Sequence, residues 1–178
     1  LLGLLAVLAI GGYFGIKFYN VYFAPNITGK EKYLFVRTGH NLDDLFEEIR
    51  RKDVLTQIGT FSQAAAKMDL ARSLKPGRYK LTKGMNNRSL INMLKSGNQD
   101  PVKLKFQNLR KKENFAAYLS NNLEPDSISF INVLDSAALI EKYGFNKDNS
   151  YVMFIPNTYE MYWNVTALDF FDRMHKEY

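Results

Sequence analysis

Hydrophobic and polar positions along this chain predict one long apolar helix followed by a series of short helices and strands. Residues 1–16 carry no charged side chain, and apolar residues continue past Lys17 to Phe23. A helix that crosses a bilayer needs about 20 apolar residues. Three tyrosines gather towards one end of the segment, where a membrane–water interface favours them: Tyr13, Tyr19 and Tyr22. We therefore predict a membrane anchor over residues 1–23.

Two other interpretations of this segment stay open. A cleaved signal peptide would show small residues at a cleavage site and then polar sequence, whereas aromatic residues follow here. A buried core helix would be weakened by Gly11, Gly12 and Gly15. Lys17 alone does not fix the orientation of an anchor. Because the chain opens on Leu rather than Met, we expect an upstream piece.

The next region has the order strand, helix, helix, strand. Residues 32–37 predict a strand, and Asn41 is placed to cap the helix that follows, with Asp44 at its third position. Apolar residues then recur at helical spacing, first over 42–49 and again in a second helix from about Thr60 to Leu70. Pro76 and Gly77 turn the chain into a strand over 78–81. These elements make a compact βααβ unit.

The remaining residues predict further short elements, each from a local signal. Asn87 is placed to cap a helix that ends at Gly97. Val102, Leu104 and Phe106 alternate with lysines, as in a strand with one buried face. Later elements are a helix around 115–123, a helix from Asp126 to about Ile140, a short strand over 151–155, and a helix capped by Thr166 that turns Leu168, Phe170 and Phe171 to a core. This last helix reaches Tyr178 without a stop signal, so we expect a truncated domain.

Composition limits the chemistry. The chain has no cysteine and only two histidines, His40 and His175, which excludes thiolate sites and histidine-rich metal clusters. We predict no cofactor and no metal. The formal charge of +6 is spread along the chain, with dense runs at 50–52 and 110–112 that are typical of solvated surface. Exposed aromatics on a sheet or a helix-turn-helix would accompany nucleic-acid binding, and neither is clear, so we predict no nucleic-acid partner.

The most unusual stretch is 154–164. It holds the only Trp, two Tyr, one carboxylate and several amide or hydroxyl groups. Sugar rings stack on aromatic faces while neighbouring polar groups exchange hydrogen bonds with their hydroxyls. Glu160 lies among these aromatics, where desolvation favours the neutral form that a general acid needs. The alternative is a turn over 156–159, with Tyr162 and Trp163 in the core and Glu160 solvated.

Ordered motifs resemble those of YceG-like endolytic murein transglycosylases (the MltG family). Residues 75–81 (KPGRYKL) resemble that family's "aGtY.l" strand, and Lys83-Gly84-Met85 with Leu94-Lys95-Ser96-Gly97 follows at the family's spacing. Residues 154–159 (FIPNTY) are similar to its "f.PdTY" segment, and Tyr162-Trp163-Asn164 resembles the Bacteroidota type. The βααβ unit resembles the LysM-like module that these proteins carry after a single membrane span. The resemblance covers the whole chain.

The resemblance implies a fold, a location and an activity. The fold is α+β: an anchor over 1–23, a LysM-like βααβ module with its following helix over 31–97, and the start of a mixed α/β catalytic domain over 98–178. The location is the bacterial inner membrane, single-pass, with the soluble part outside the cytoplasm. The activity is cleavage of nascent peptidoglycan glycan strands, which leaves 1,6-anhydro-muramoyl ends. The implied partners are peptidoglycan, the membrane, penicillin-binding proteins and the elongation and division machinery.

The sequence departs from the family pattern at two places. The catalytic Glu of the family lies in an "EKE"-type segment that does not occur before Tyr178, and its "f.ipEG" element is replaced by residues 106–110. We therefore assign no catalytic residue and expect the 178 residues alone to be inactive. As a hypothesis, the glycan groove is bordered by Asn157, Thr158, Tyr159, Glu160 and Tyr162. The alternative function is a non-catalytic, membrane-tethered scaffold that binds peptidoglycan.

Overall fold

The structure is a computed structural model that describes residues 2–106, 111–146 and 150–178. It has two compact units, with the boundary between Gln99 and Asp100. Unit 1 contains α1 (Leu2–Tyr22), β1 (Tyr33–Val36), α2 (Leu42–Arg51), α3 (Ile58–Lys67), α4 (Leu70–Ser73), β2 (Gly77–Lys80) and α5 (Asn87–Ser96). Unit 2 contains β3 (Val102–Lys105), α6 (Lys112–Asn122), α7 (Ser127–Asp135), α8 (Ala137–Lys142), a 3₁₀ helix (Ser150–Met153), β4 (Thr158–Met161) and α9 (Ala167–Glu177). The predicted α+β class is confirmed.

Helix α1 is long and apolar enough to cross a membrane. Its segment Gly3–Tyr22 has a mean hydropathy of 1.5, and only 6% of that window is buried. A core helix of a soluble domain would be largely buried, whereas leucine, isoleucine and phenylalanine side chains of α1 stand exposed around its whole circumference. These properties are those of the anchor that the sequence predicts.

The βααβ order of unit 1 is confirmed, with one short additional helix, α4. Strand β1 pairs antiparallel with β2, and Leu34 lies opposite Tyr79 in a register that buries both side chains. Asn41 caps α2 as predicted, because its Oδ1 accepts from the backbone N–H of Asp44 while Asp44 Oδ2 accepts from the backbone N–H of Asn41. The core of unit 1 lies between this two-stranded sheet and helices α2, α3 and α5.

One cap prediction in unit 1 is wrong. The residue that caps α5 is Asn86, whose Oδ1 accepts a 2.9 Å hydrogen bond from the backbone N–H of Ser89. Asn87 is the first residue of the helix, and its side chain is buried. Asparagine is a common helix cap, so the sequence alone does not distinguish Asn86 from Asn87. Asn87 is excluded as the cap because its side chain makes buried hydrogen bonds to Asn26 and to the backbone of Val21. Gly97 ends the helix as predicted, in the left-handed conformation with φ +72°.

Unit 2 corrects three further predictions. Residues 151–155 were expected to form a strand, but Ser150–Met153 is a 3₁₀ helix and the strand is β4. The expected helix from Asp126 to Ile140 is broken at Ser136, whose extended backbone ends α7 and whose side chain caps α8. Leu168 is 40% exposed, although Phe170 and Phe171 are buried as predicted.

The core of unit 2 is aromatic. Phe106 packs at a ring-centroid distance of 5.3 Å from Phe115, and Phe115 packs at 4.5 Å from Phe154. Phe170 and Phe171 of α9 close the cluster on its other side. Edge-to-face and tilted pairs of this kind add packing energy beyond area burial. This cluster supports the inner face of the β3–β4 sheet.

Candidate functional site

The stretch that the sequence singles out forms one strand of an antiparallel ladder. Strand β4 pairs with β3 so that Lys103 lies opposite Glu160 and Lys105 lies opposite Thr158. Because successive side chains of a strand point to opposite faces, Val102, Leu104, Tyr159 and Met161 are buried while their neighbours are exposed. The ladder therefore has an inner face in the core and an outer face in solvent.

The outer face combines charged, hydroxyl and aromatic groups. The alternation of β4 continues past the strand, so exposed Thr158, Glu160 and Tyr162 alternate with buried Tyr159, Met161 and Trp163. The Tyr162 side chain is 57% exposed. We call the outer face the set of Lys103, Lys105, Thr158, Glu160 and Tyr162.

Glu160 makes a cross-strand ion pair. Its Oε1 lies 3.2 Å from Lys103 Nζ, and the side chains are 57% and 72% exposed respectively. An exposed pair of this kind contributes at most about 1 kcal/mol to stability, since water screens it. Glu160 therefore lacks the burial among aromatics that a general acid would need, and its carboxylate is available at the surface for hydrogen bonding.

Tyr159 supports the outer face from behind. Its side chain is buried, and its hydroxyl donates a 2.9 Å hydrogen bond to the backbone oxygen of Ile155, which closes the turn before β4. Its ring lies 5.1 Å from that of Phe106. Burial, with a smaller contribution from the charge of Glu177, raises the pKa of the Tyr159 phenol. Tyr159 is thus held neutral on the inner face.

The turn before β4 is fixed to the end of β3. The backbone N–H of Phe106 donates a 3.1 Å hydrogen bond to the backbone oxygen of Asn157. The side-chain oxygen of Asn157 accepts a 2.7 Å hydrogen bond from the N–H of Thr158. Asn157 is exposed, so its side-chain amide is accessible to solvent. It extends the outer face by one polar group.

Beyond β4, Trp163 anchors the chain and Tyr162 projects from it. Trp163 is buried, and its backbone oxygen accepts a 2.8 Å hydrogen bond from the N–H of Glu124. The backbone oxygen of Tyr162 accepts from the N–H of Val165 at 3.2 Å. The alternative interpretation of residues 154–164 placed both Tyr162 and Trp163 in the core. Trp163 is buried there, whereas Tyr162 is exposed.

The structure thus brings four of the five predicted groove residues to the solvent side: Asn157, Thr158, Glu160 and Tyr162. It places Tyr159 on the opposite side. The sequence alone did not show that Lys103 and Lys105 share a surface with these residues, because it did not reveal that β3 pairs with β4. The alternation of the two lysines with Val102 and Leu104 did indicate that they point to solvent.

The described residues hold no group of three His, Asp or Glu side chains arranged to bind a metal. His175 instead packs against Tyr143, with ring centroids 5.0 Å apart. Tyr143 donates a 2.7 Å hydrogen bond to Asp172 Oδ1. Burial and the neighbouring Asp172 raise the pKa of Tyr143 to about 12. This cluster stabilises the contact between α8 and α9.

Comparison with known protein families gives a match over most of the chain. Residues 34–178 match the YceG-like family. The chain belongs to the YceG-like family. None of the curated proteins matches the chain. Among solved structures, the 2.6 Å crystal structure of a protein from Listeria monocytogenes described as YceG-like is similar, at 19% sequence identity and a TM-score of 0.37. The match covers 82% of this chain and 53% of that one, so the chain spans about half the length of that protein.

Proposed function

We propose that this chain belongs to a membrane-anchored endolytic lytic transglycosylase that cuts nascent peptidoglycan glycan strands and so helps set their length. The observation that carries the proposal is the YceG-like match over 34–178. It is supported by the exposed apolar helix α1, which lies on the amino-terminal side of the matched region. The proposed location is the bacterial cytoplasmic membrane, single-pass, with both units on the outer side. The Tyr162-Trp163-Asn164 sequence favours a Bacteroidota-type member.

The proposed reaction needs one proton donor and no water. A Glu carboxyl protonates the glycosidic oxygen as the bond from C1 of the muramoyl residue breaks. The 6-hydroxyl of the same residue then attacks its own C1 and returns its proton to the carboxylate, which leaves a 1,6-anhydro end. The same carboxyl acts as acid and then as base. We place this Glu in the family's "EKE"-type segment and assign no catalytic role within residues 1–178.

Within the chain, the outer face is proposed to bind the glycan. Tyr162 offers an exposed ring on which a sugar face stacks. Asn157, Thr158 and Glu160 offer amide, hydroxyl and carboxylate groups to sugar hydroxyls, and Lys103 attracts the carboxylates of stem peptides. Tyr159 acts from the inner face by holding the turn that presents Asn157 and Thr158.

Unit 1 is proposed to act as a LysM-like module. Its strand–helix–helix–strand order and the antiparallel pairing of β1 with β2 support this assignment. The module would retain the wall polymer near the membrane while the outer face of unit 2 engages a strand. Penicillin-binding proteins and other elongation or division proteins are the proposed partners, since they supply nascent glycan.

The second candidate is a non-catalytic scaffold that binds peptidoglycan. The observation that favours it is that no Asp or Glu of unit 2 is buried among the residues that the structure describes, and that Glu160 is exposed and ion-paired. A scaffold and an enzyme both bind glycan. Only the enzyme shortens it.

The test is a strand-length assay. The whole gene product, purified in mild detergent, is incubated with uncrosslinked glycan strands whose length distribution is then measured by chromatography. The proposal predicts shorter strands of mixed length, because endolytic cuts fall within strands. Release of single disaccharides would show exolytic cleavage and contradict it. Binding without any shortening would favour the scaffold.

A further inference from the structure

A groove lies where α1 meets α3, at the end of the apolar helix. It has a volume of about 600 Å³, and its lining includes Phe14, Phe18 and Val21 of α1 and Ala66 of α3, together with Lys17 and Lys67. Residues 14, 18 and 21 share one face of α1 at helical spacing. Ala66 contributes only a methyl group to this lining. The groove is therefore mainly apolar, and two lysines belong to its lining.

The two lysines are available to a ligand. Both side chains are exposed, and within the part of the chain that the structure describes neither has a carboxylate within ion-pair distance. Lys30 and Lys52 of the same unit, by contrast, pair with Asp53 and Glu48. The lining of the groove contains no acidic residue. Its charge therefore favours an anion.

The groove lies at the depth where lipid headgroups would be. Helix α1 has 21 residues and is about 31 Å long, but its last residues pack against unit 1, so the surface of a bilayer would fall near Lys17 rather than at the end of the helix. Lys17 precedes the end of the helix by about 7.5 Å, and a lysine at that depth extends its ammonium to the interface. Val21 is already buried in the core of unit 1, so α3 is held beside this last part of α1.

From this placement we infer that the α1–α3 groove binds one anionic phospholipid of the leaflet next to unit 1. Its acyl chain lies along Phe14 and Phe18, and its phosphate lies between Lys17 and Lys67. A second protein helix fits the observations less well, because α1 is apolar around its whole circumference and a single partner would cover one side only. This inference rests on α1 crossing a bilayer and does not depend on the transglycosylase activity.

The test compares lipids that differ in charge. The chain is purified in detergent with equal amounts of phosphatidylglycerol and phosphatidylcholine, and the lipids that remain bound are identified by native mass spectrometry. We expect roughly tenfold preference for phosphatidylglycerol, since two lysines contribute to the attraction. Free glycerol phosphate should not displace the lipid, because it lacks the acyl chain.

Three variants separate charge from shape. Lys17→Gln with Lys67→Gln should remove the preference, whereas Lys80→Gln with Lys83→Gln, which removes two exposed lysines elsewhere in unit 1, should leave it unchanged. Ala66→Trp fills the groove and should reduce the retention of both lipids. Equal preference in the wild type and in the Lys17/Lys67 variant would overturn the inference. So would a two-chain complex in which α1 pairs with its copy and no lipid is retained, or failure of the wild type to float with vesicles.

Discussion

Asn87 donates a 2.8 Å hydrogen bond from Nδ2 to the backbone oxygen of Val21, near the end of α1. The last carbonyl groups of a helix lack partners within the helix, and here a buried side chain from α5 supplies one. Asn87 Oδ1 in turn accepts a 2.7 Å hydrogen bond from Asn26 Nδ2, and Asn87 Nδ2 also lies 3.1 Å from Thr60 Oγ1. Helix α1 is therefore joined to the core of unit 1 by a buried polar network.

The first prediction concerns this network. Asn87→Ala should lower the free energy of unfolding of unit 1 by about 2–3 kcal/mol, since it leaves buried partners unsatisfied. Asn86→Ala, which removes only the cap of α5, should cost about 1 kcal/mol. Amide hydrogen exchange in α3 and α5, measured in detergent micelles, gives both values. A loss for Asn87→Ala no greater than that for Asn86→Ala would contradict the role of the network.

The second prediction concerns Gly77, in the sequence motif that resembles the family. Its φ is +149°, and a Cβ there would lie 2.2 Å from Gln99 Cδ. Gln99 bridges the backbone on both sides of Gly77, from Arg78 N–H to Pro76 oxygen, so displacing it breaks two contacts. Gly77→Ala should destabilise unit 1 by about 2 kcal/mol.

Gly59 provides the control for Gly77. It lies in α3, and a Cβ there would meet no atom within 4 Å. Gly59→Ala should stabilise the unit by up to about 1 kcal/mol, because alanine favours the helix. Equal effects of the two substitutions in the same exchange experiment would show that backbone geometry does not distinguish them.

The third prediction is a pH dependence. Burial raises the pKa of Tyr79 to about 12, and its hydroxyl donates a 2.7 Å hydrogen bond to the backbone oxygen of Lys75. A phenol whose pKa is higher in the folded state stabilises the fold fully below its unfolded pKa of about 10 and loses this contribution as pH rises towards 12. Unit 1 should therefore lose stability over that window.

The variant Tyr79→Phe tests the cause of this alkaline loss. It should be less stable than the wild type at neutral pH by about 1 kcal/mol, through loss of the hydrogen bond. Its unfolding free energy should then fall less steeply above pH 10, so the difference from the wild type should narrow. Denaturant titrations at several pH values measure both slopes, and parallel slopes would exclude Tyr79 as the titrating group.

The fourth prediction concerns glycan binding by the outer face. Tyr162→Ala should weaken sedimentation of the chain with purified peptidoglycan about tenfold, which corresponds to about 1.4 kcal/mol. Tyr178→Ala is a matched control, because both side chains are 57% exposed and both lie in unit 2. If the two substitutions weaken binding equally, or neither does, the outer face is not the contact surface.

Elements with local signals were predicted well from the sequence. The long apolar helix α1 follows from the length of the apolar segment. Helix α2 follows from Asn41 and Asp44, whose side chains each accept a hydrogen bond from the other's backbone N–H. The alternation of Val102 and Leu104 with lysines gave strand β3 directly. In each case the interaction that decides the structure lies within a few neighbouring residues.

Strand β4 was misplaced because its signal is not local. Residues 151–155 are apolar, but Met153 and Phe154 are used to fill the core against α9 and α6, while the pairing edge of β3 is occupied by 158–161. The apolar residues Tyr159, Met161 and Trp163 at a spacing of two were present in the sequence. Placing the strand over 151–155, directly before Pro156, concealed them. The same error concealed Lys103 and Lys105 as part of the candidate site.

The most direct measurement of the central claim is the fate of water in the reaction. The whole gene product digests purified peptidoglycan in water enriched with heavy oxygen, and the new glycan ends are analysed by mass spectrometry. An intramolecular attack by the 6-hydroxyl predicts ends that are lighter by one water than reducing ends and that carry no heavy oxygen. Reducing ends labelled with heavy oxygen, or peptidoglycan left uncut, would contradict a lytic transglycosylase.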